Sequence, residues 1–202
     1  MITIVNYGMG NLGSVLNMFK RVGVKAQISS NINEIEKSEK LLLPGVGAFD
    51  AAMELINNSE LLPILNYKAK EEKIPILGIC LGMQLLTNGS EEGGLSGLKW
   101  IDADTLKFQF EDNNMKVPHM GWNFIKPQLA SPLLTELNNE SKFYFVHSYY
   151  VKCKNTENAL ASTQYGFDFH SIIQYENIFG AQFHPEKSHK FGMQLLTNFS
   201  KI

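Results

Sequence analysis

Cysteine 80 stands in Gly78-Ile79-Cys80-Leu81-Gly82, between an apolar run and a stretch with helical spacing. A buried strand that turns straight into a helix, with glycine two residues to either side of the corner, has the pattern of a nucleophile elbow in which sulfur replaces the hydroxyl. The glycines let the chain turn sharply. A helix N-terminus favours a thiolate at the corner, and the backbone N–H of Leu81 points where an oxyanion would form. Such a cysteine needs a base. Of His119, His147, His170, His184 and His189, His184 stands out because it directly follows the apolar run Ile178–Phe183. Pro185 stiffens the turn after it, and Glu186 is placed to accept a hydrogen bond from the imidazole. Nucleophile, base and orienting carboxylate are therefore expected at Cys80, His184 and Glu186. A second glycine-rich strand exit, Pro44-Gly45-Val46-Gly47, leaves peptide N–H groups free to complete an oxyanion hole. Alone, Cys80 also fits a buried structural cysteine, and His184 a hydrogen-bonded loop residue. Together these residues specify acyl transfer. The thiolate attacks an amide carbonyl to give a thioester, His184 protonates the leaving amine, and water activated by the same histidine cleaves the thioester.

For this chemistry the elements must bring residues 80 and 184 together. Ile2–Asn6, Val24–Ser29, Leu41–Leu43 and Ile74–Ile79 read as apolar strands. They alternate with helical spacing over Leu12–Val22, Asp50–Asn58, Leu61–Glu72 and Leu81–Asn88. That alternation predicts an α/β fold, a mostly parallel central sheet with helices on both faces. In a parallel sheet the strand C-termini share one edge, which carries the active site. The C-terminal half differs: Thr105–Phe110, Phe143–Tyr150, Ala159–Gln164, Ser171–Tyr175 and Ile178–Phe183 follow one another with little helix between, which predicts additional antiparallel strands, and His189–Phe199 closes the chain as a helix. No Pro- or Ser-rich linker interrupts it, so residues 1–202 are expected to form one domain. Gly-Met-Gln-Leu-Leu-Thr-Asn occurs at 82–88 and again at 192–198. The flanks do not match, so the two copies read as similar helix starts and not as a duplication.

Composition narrows the partners. Of 18 basic residues only Arg21 is an arginine, the lysines are scattered, and the formal net charge is -2, which argues against a nucleic-acid or acidic membrane face. Two cysteines, Cys80 and Cys153, are too few for a disulfide scaffold. Apolar stretches fall short of the ~18 residues of a membrane span. A cytoplasmic protein is expected, and no metal or cofactor. Gly8-Met9-Gly10-Asn11-Leu12-Gly13 fits a dinucleotide-binding pattern, but no carboxylate ends the second strand, where Ile28-Ser29-Ser30-Asn31 stands. It reads as a glycine-rich turn, with Asn11 available to cap the following helix.

Gly-Ile-Cys-Leu-Gly-Met-Gln at 78–84, Pro-Gly-Val-Gly-Ala-Phe at 44–49 and His-Pro-Glu-Lys-Ser at 184–188 resemble the motifs of the class I (triad) glutamine amidotransferases. Asn-Tyr-Gly-Met-Gly-Asn at 6–11, Pro-His-Met-Gly-Trp-Asn at 118–123 and Phe-Val-His-Ser-Tyr-Tyr at 145–150 are similar to the glutaminase subunits of imidazole glycerol phosphate synthases, and the likeness spans essentially the whole chain. The resemblance implies a class I glutamine amidotransferase-like fold with Cys80, His184 and Glu186 as triad and Val46 and Leu81 as oxyanion amides. It implies that Gly45, Gly47, Gln84, Ser148 and Tyr149 hold glutamine. It further implies a heterodimer with a (βα)8-barrel cyclase, with Asn11, His119 and Trp122 near the interface. Ammonia crosses that barrel to make imidazole glycerol phosphate and an aminoimidazole carboxamide ribotide, in histidine biosynthesis. One stretch departs from the family pattern: Gly97-Leu98-Lys99-Trp100-Ile101-Asp102-Ala103 stands where histidine-pathway members usually read Gly-Leu-Gly-Leu-Ile-Pro-Gly. Paralogues that supply ammonia for an amidino group in surface-polysaccharide pathways are the alternative. A cysteine hydrolase or peptidase of similar fold would explain the elbow, but not Gln84, His-Pro-Glu and the oxyanion loop together.

Overall fold

Short β-branched and leucine-rich runs, buried on both faces, form the middle of the sheet. The computed structural model describes residues 1–111 and 115–202. In chain order the strands are β1 (Ile2–Val5), β2 (Ala26–Ser29), β3 (Lys40–Leu43), β4 (Ile76–Ile79), β5 (Ala103–Lys107), β6 (His119–Phe124), β7 (Lys126–Pro127), β8 (Lys142–His147), β9 (Tyr149–Cys153), β10 (Ala159–Tyr165), β11 (Phe167–Tyr175) and β12 (Ile178–Ala181). The helices are α1 (Leu12–Arg21), α2 (Ile32–Glu36), α3 (Phe49–Asn57), α4 (Leu61–Asn66), α5 (Leu81–Leu85) and α6 (His189–Lys201). Strands β2, β1, β3, β4 and β12 lie side by side and parallel. Beyond β12 the sheet turns antiparallel through β11, β10 and β7, with β9 and β5 branching from β11. Strands β6 and β8 pair as a separate antiparallel ribbon.

Side chains of a strand alternate between faces, so the sheet has two apolar layers. Ile4, Leu42, Leu77 and Ile79 pack under α1 and α6 with Val15, Phe19, Leu195 and Phe199. Val5, Leu41, Leu43 and Ile76 pack on the other face with Phe49, Met53, Leu65 and Met83 of α3, α4 and α5. Each fully buried side chain of this kind contributes about 1.5–3 kcal/mol, and these layers fix the strand ends that carry the site.

Several boundaries differ from the sequence reading. The expected helix Leu81–Asn88 stops at Leu85. The backbone N–H groups of Leu98, Trp100 and Ile101 take the carbonyls of Leu85 and Leu86, so the departing segment closes the helix early. The helix expected over Leu61–Glu72 ends in a π turn, Tyr67–Glu71. Phe143–Tyr150 is two strands, not one: the chain breaks at Ser148, whose carbonyl accepts from Phe108 N–H at 3.1 Å. Asn11 precedes α1 without a side-chain capping bond. The second heptapeptide copy lies inside α6 and does not start it.

Candidate active site

β4 runs directly into Cys80, which adopts φ 54° and ψ -110°. That is a left-handed backbone for a residue with a β-carbon, a strain kept only where the surroundings enforce it. They do so here: Cys80 N–H donates to the Ala181 carbonyl at 2.8 Å and its own carbonyl accepts from Gln84 N–H at 3.2 Å. Helix α5 can begin at once because residue 82 is glycine, where a β-carbon would lie 1.9 Å from the Leu43 carbonyl oxygen. The end of β3 therefore sits against the elbow and carries Pro44-Gly45-Val46-Gly47 to the same edge. Gly47 takes φ +116°, open to glycine and strained for other residues. The Tyr7 hydroxyl donates to the Pro44 carbonyl and ties this loop to the end of β1. Burial, with the charge of Cys80, pushes the Tyr7 phenol well above its ordinary value.

The parallel register pairs Gly180 with Gly78 and Ala181 with Ile79, so the chain leaving β12 passes beside Cys80. Three residues after Ala181, His184 Nδ1 meets Glu186 Oε1 at 2.8 Å, with both side chains 2% exposed. The carboxylate accepts from Nδ1–H, which leaves Nε2 on the cleft side, buried and without a hydrogen-bond partner among the described residues. Burial alone would lower the imidazolium pKa. The nearby Cys80 sulfur and the hydrogen-bonded Glu186 carboxylate outweigh it and push the value up to about 10.

A cleft of about 330 Å3 opens over these groups. Val46, Gly47, Cys80, Leu81, Gln84, Ser148, Tyr149 and His184 all line it. Gly45 is buried beneath the loop and Glu186 stands behind His184. Three other residues expected nearby divide: Asn11 and Trp122 are exposed, whereas His119 is 2% exposed and reaches no surface. Its Nδ1–H donates to His147 Nε2 at 3.0 Å, and His147 Nδ1–H donates to the Tyr149 carbonyl at 2.7 Å. Asn123 closes the chain by donating to His119 Nε2 at 3.2 Å. Burial keeps both rings neutral, lowering His119 to about 4 and His147 to about 3.

Sequence reasoning passed over His147, Gln182 and Glu92. Gln182 is fully buried, with Nε2 3.8 Å from Cys80 Sγ. Its spacing of two before His184 and four before Glu186 was a usable signal. Glu92 lines the cleft and accepts from Phe49 N–H at 3.0 Å, while Asp50 accepts from Gly94 and Leu95 N–H at 2.8 and 3.0 Å. These partners lie over forty residues apart in the chain, so no local pattern announces them. Among the described residues no three His, Cys, Asp or Glu side chains cluster as a metal would require, and no helix is long and apolar enough to cross a membrane.

Residues 3–202 match the family model for glutamine amidotransferase class-I, and the chain belongs to that family. Within it, the chain is 51% identical over 202 residues to the imidazole glycerol phosphate synthase subunit HisH 2 of Pseudomonas aeruginosa, covering 100% of both chains. It is 52% identical to the HisH 2 subunit of Methanococcus maripaludis, covering 100% of this chain and 99% of that one. It is therefore a member of the HisH group of glutamine amidotransferases. Solved structures share the fold: PurLQS from Thermotoga maritima superposes with TM-score 0.75 at 16% identity over 98% of this chain and 96% of that one. The crystal structure of another glutamine amidotransferase gives 0.73 at 15% identity, over 100% of this chain and 99% of that one.

Proposed function

We propose that this glutamine amidotransferase hydrolyses glutamine to glutamate and ammonia with Cys80 as nucleophile, His184 as base and Glu186 as its orienting carboxylate. The observation that carries the reading is the strained Cys80 corner facing a buried His184–Glu186 pair in one cleft. Thiolate attack on the side-chain amide gives a tetrahedral oxyanion beside the Val46 and Leu81 backbone. His184 Nε2 protonates the departing ammonia, then takes a proton from the water that opens the thioester. Gly47, Gln84, Ser148 and Tyr149 hold the substrate, Gly45 supports the loop from beneath, and Glu92 lines the same cleft.

The ammonia goes to a (βα)8-barrel cyclase bound as a heterodimer in the cytoplasm. There it forms imidazole glycerol phosphate and an aminoimidazole carboxamide ribotide for histidine biosynthesis. Free ammonia would be protonated in water at neutral pH, so the acceptor must cover the cleft. Met120, Trp122 and Phe124, alternate residues of β6, are 62%, 44% and 52% exposed, and Val117 beside the cleft is 42% exposed. Such an apolar face suits a partner. Trp122 lies on it and Asn11 is also exposed. His119 acts from behind it through its hydrogen bonds. The departing segment Gly97–Ala103 contributes no residue to the cleft. Its Leu98, Trp100 and Ile101 are buried in the core, so it bears on packing and not on the chemistry.

Replacing Cys80 with alanine is expected to cut glutamate release by about 10⁴-fold or more with the melting temperature retained. Residual turnover near that of the unmodified chain would overturn the assignment. Co-purification from the native cell, read by mass spectrometry, tests the partner. A histidine-pathway barrel supports the reading, a surface-polysaccharide barrel redirects it, and no barrel at all removes it.

A further inference from the structure

Gln182 is a fully buried polar side chain for which the acyl-transfer scheme has no task. Its place follows from the sheet. Ala181 pairs with Ile79 across β12 and β4, so the next residues along both strands, Gln182 and Cys80, come out side by side at the catalytic edge. Gln182 N–H donates to the Ser171 carbonyl at 2.9 Å, which continues the strand geometry past β12 and holds the side chain in place. Its amide is oriented at both ends. Oε1 accepts from Gln84 Nε2 at 3.4 Å, and this leaves the Nε2 donor for Cys80 Sγ at 3.8 Å. Gln84 Nε2 lies the same 3.4 Å from the Tyr149 carbonyl, so the Gln84 amide is itself anchored across the cleft. A thiol sulfur is a weak acceptor, and bonds to an ionised acceptor are about twice as strong as neutral ones.

We infer that Gln182 is a hydrogen-bond donor to the Cys80 thiolate, aimed by Gln84, that holds the sulfur toward the substrate carbonyl and stabilises it again as the leaving group when water opens the thioester. The inference rests on the glutaminase reading of Cys80. It makes Gln182, His184 and Glu186 one alternating array: the first residue holds the nucleophile, the second exchanges its proton, and the third orients the second. The titratable groups around the sulfur are Tyr7 from the end of β1, His184 with Glu186 behind it, and His147 and Glu92 on the cleft walls.

The test is Gln182→Met in the full-length chain, which keeps the unbranched shape and removes the donor. Three readouts are taken: alkylation of Cys80 by iodoacetamide against pH, glutamate release against glutamine concentration, and the melting temperature. Loss of one bond to a charged group predicts kcat lower by about tenfold with KM within about twofold, and an alkylation profile moved to higher pH. A packing role alone would move the melting temperature and leave that profile in place. A folded variant with unchanged kcat and unchanged alkylation overturns the inference. If Gln182→Met does not fold, Gln84→Met decides, since it releases the amide of Gln182. A smaller shift of the alkylation profile in the same direction supports the inference, and none overturns it. Alkylation needs no glutamine, so a clear alkylation contrast in a chain that never releases glutamate would sink the glutaminase reading and leave the Gln182 bond standing.

Discussion

Two walls of the same cleft carry buried histidines with opposite habits. On the wall built from the parallel strands, His184 faces a carboxylate and a sulfur and is pushed up to about 10. On the antiparallel wall, His147 faces a carbonyl and a second histidine, and burial lowers it to about 3. Burial is comparable, at 2% and 6% exposure, and by itself lowers both, so it does not account for the difference between them. The neighbours do: anionic groups hold a proton on His184, and neutral dipoles use His147 as a fixed hydrogen-bond link. In the proposed reaction the first wall moves protons and the second stays still.

The largest break in this comparison comes from the proton-moving wall. His184→Ala is expected to reduce glutamate release nearly as far as loss of Cys80 does. Glu186→Gln keeps a hydrogen-bonding shape but removes the charge, and about a 10²-fold loss of kcat is expected. If Glu186→Gln left kcat intact, the carboxylate would have no orienting role.

A smaller effect, in stability, sharpens the contrast by its sign. His184 is raised from 6.5, so the native state binds the proton the unfolded chain has lost, and its contribution is complete below pH 6.5 and lost on rising through about 10. His147 is lowered from 6.5, so the unfolded chain binds the extra proton and stability falls as pH drops below 6.5. Between pH 7 and 5 the loss from His147 amounts to about 2 kcal/mol, or about 4–8 °C in melting temperature for a chain of this size. Melting curves of His147→Gln should lose much of that acid decline, and those of His184→Gln should lose the alkaline one. An acid decline of the same depth in His147→Gln would mean that this ring does not drive it.

What could be read from the sequence follows the same division. The parallel half speaks in local signals: continuous apolar strands, helical spacing, and glycines where Cys80 and Val46 turn. Those signals located the strand ends, and the strand ends bring Cys80 and His184 to one cleft with Glu186 behind them. The antiparallel half speaks through pairing at a distance. β6 carries no clear strand signal because His119, Gly121 and Asn123 dilute its apolar pattern, and its pairing partners on β8 lie 18 to 28 residues away. The break at Ser148 was invisible because the residues on both sides are equally strand-forming. Gln182 is hidden differently: it is a single polar residue inside the otherwise apolar run Ile178–Phe183, next to the more conspicuous His-Pro-Glu.

The smallest effect is expected at the other sulfur. Cys153 lies in the antiparallel half, 4% exposed, with its backbone N–H donating to His170 Nδ1 at 3.1 Å. Burial, aided by the negative charge of Asp102, pushes its thiol up to about 12. At neutral pH it carries almost no thiolate, and the thiolate is the reacting form. Cys80, in contrast, opens onto the cleft beside an imidazolium. Iodoacetamide at pH 7.5 should therefore label the native chain once, at Cys80, and reach Cys153 only after unfolding in denaturant. Cys153→Ala should leave kcat/KM within about twofold and lower stability by about 1 kcal/mol, the loss expected for one small buried group. Labelling of Cys153 ahead of Cys80 in the native chain, found by peptide mapping, would reverse the assignment of reactive and structural sulfur on which the contrast between the two halves depends.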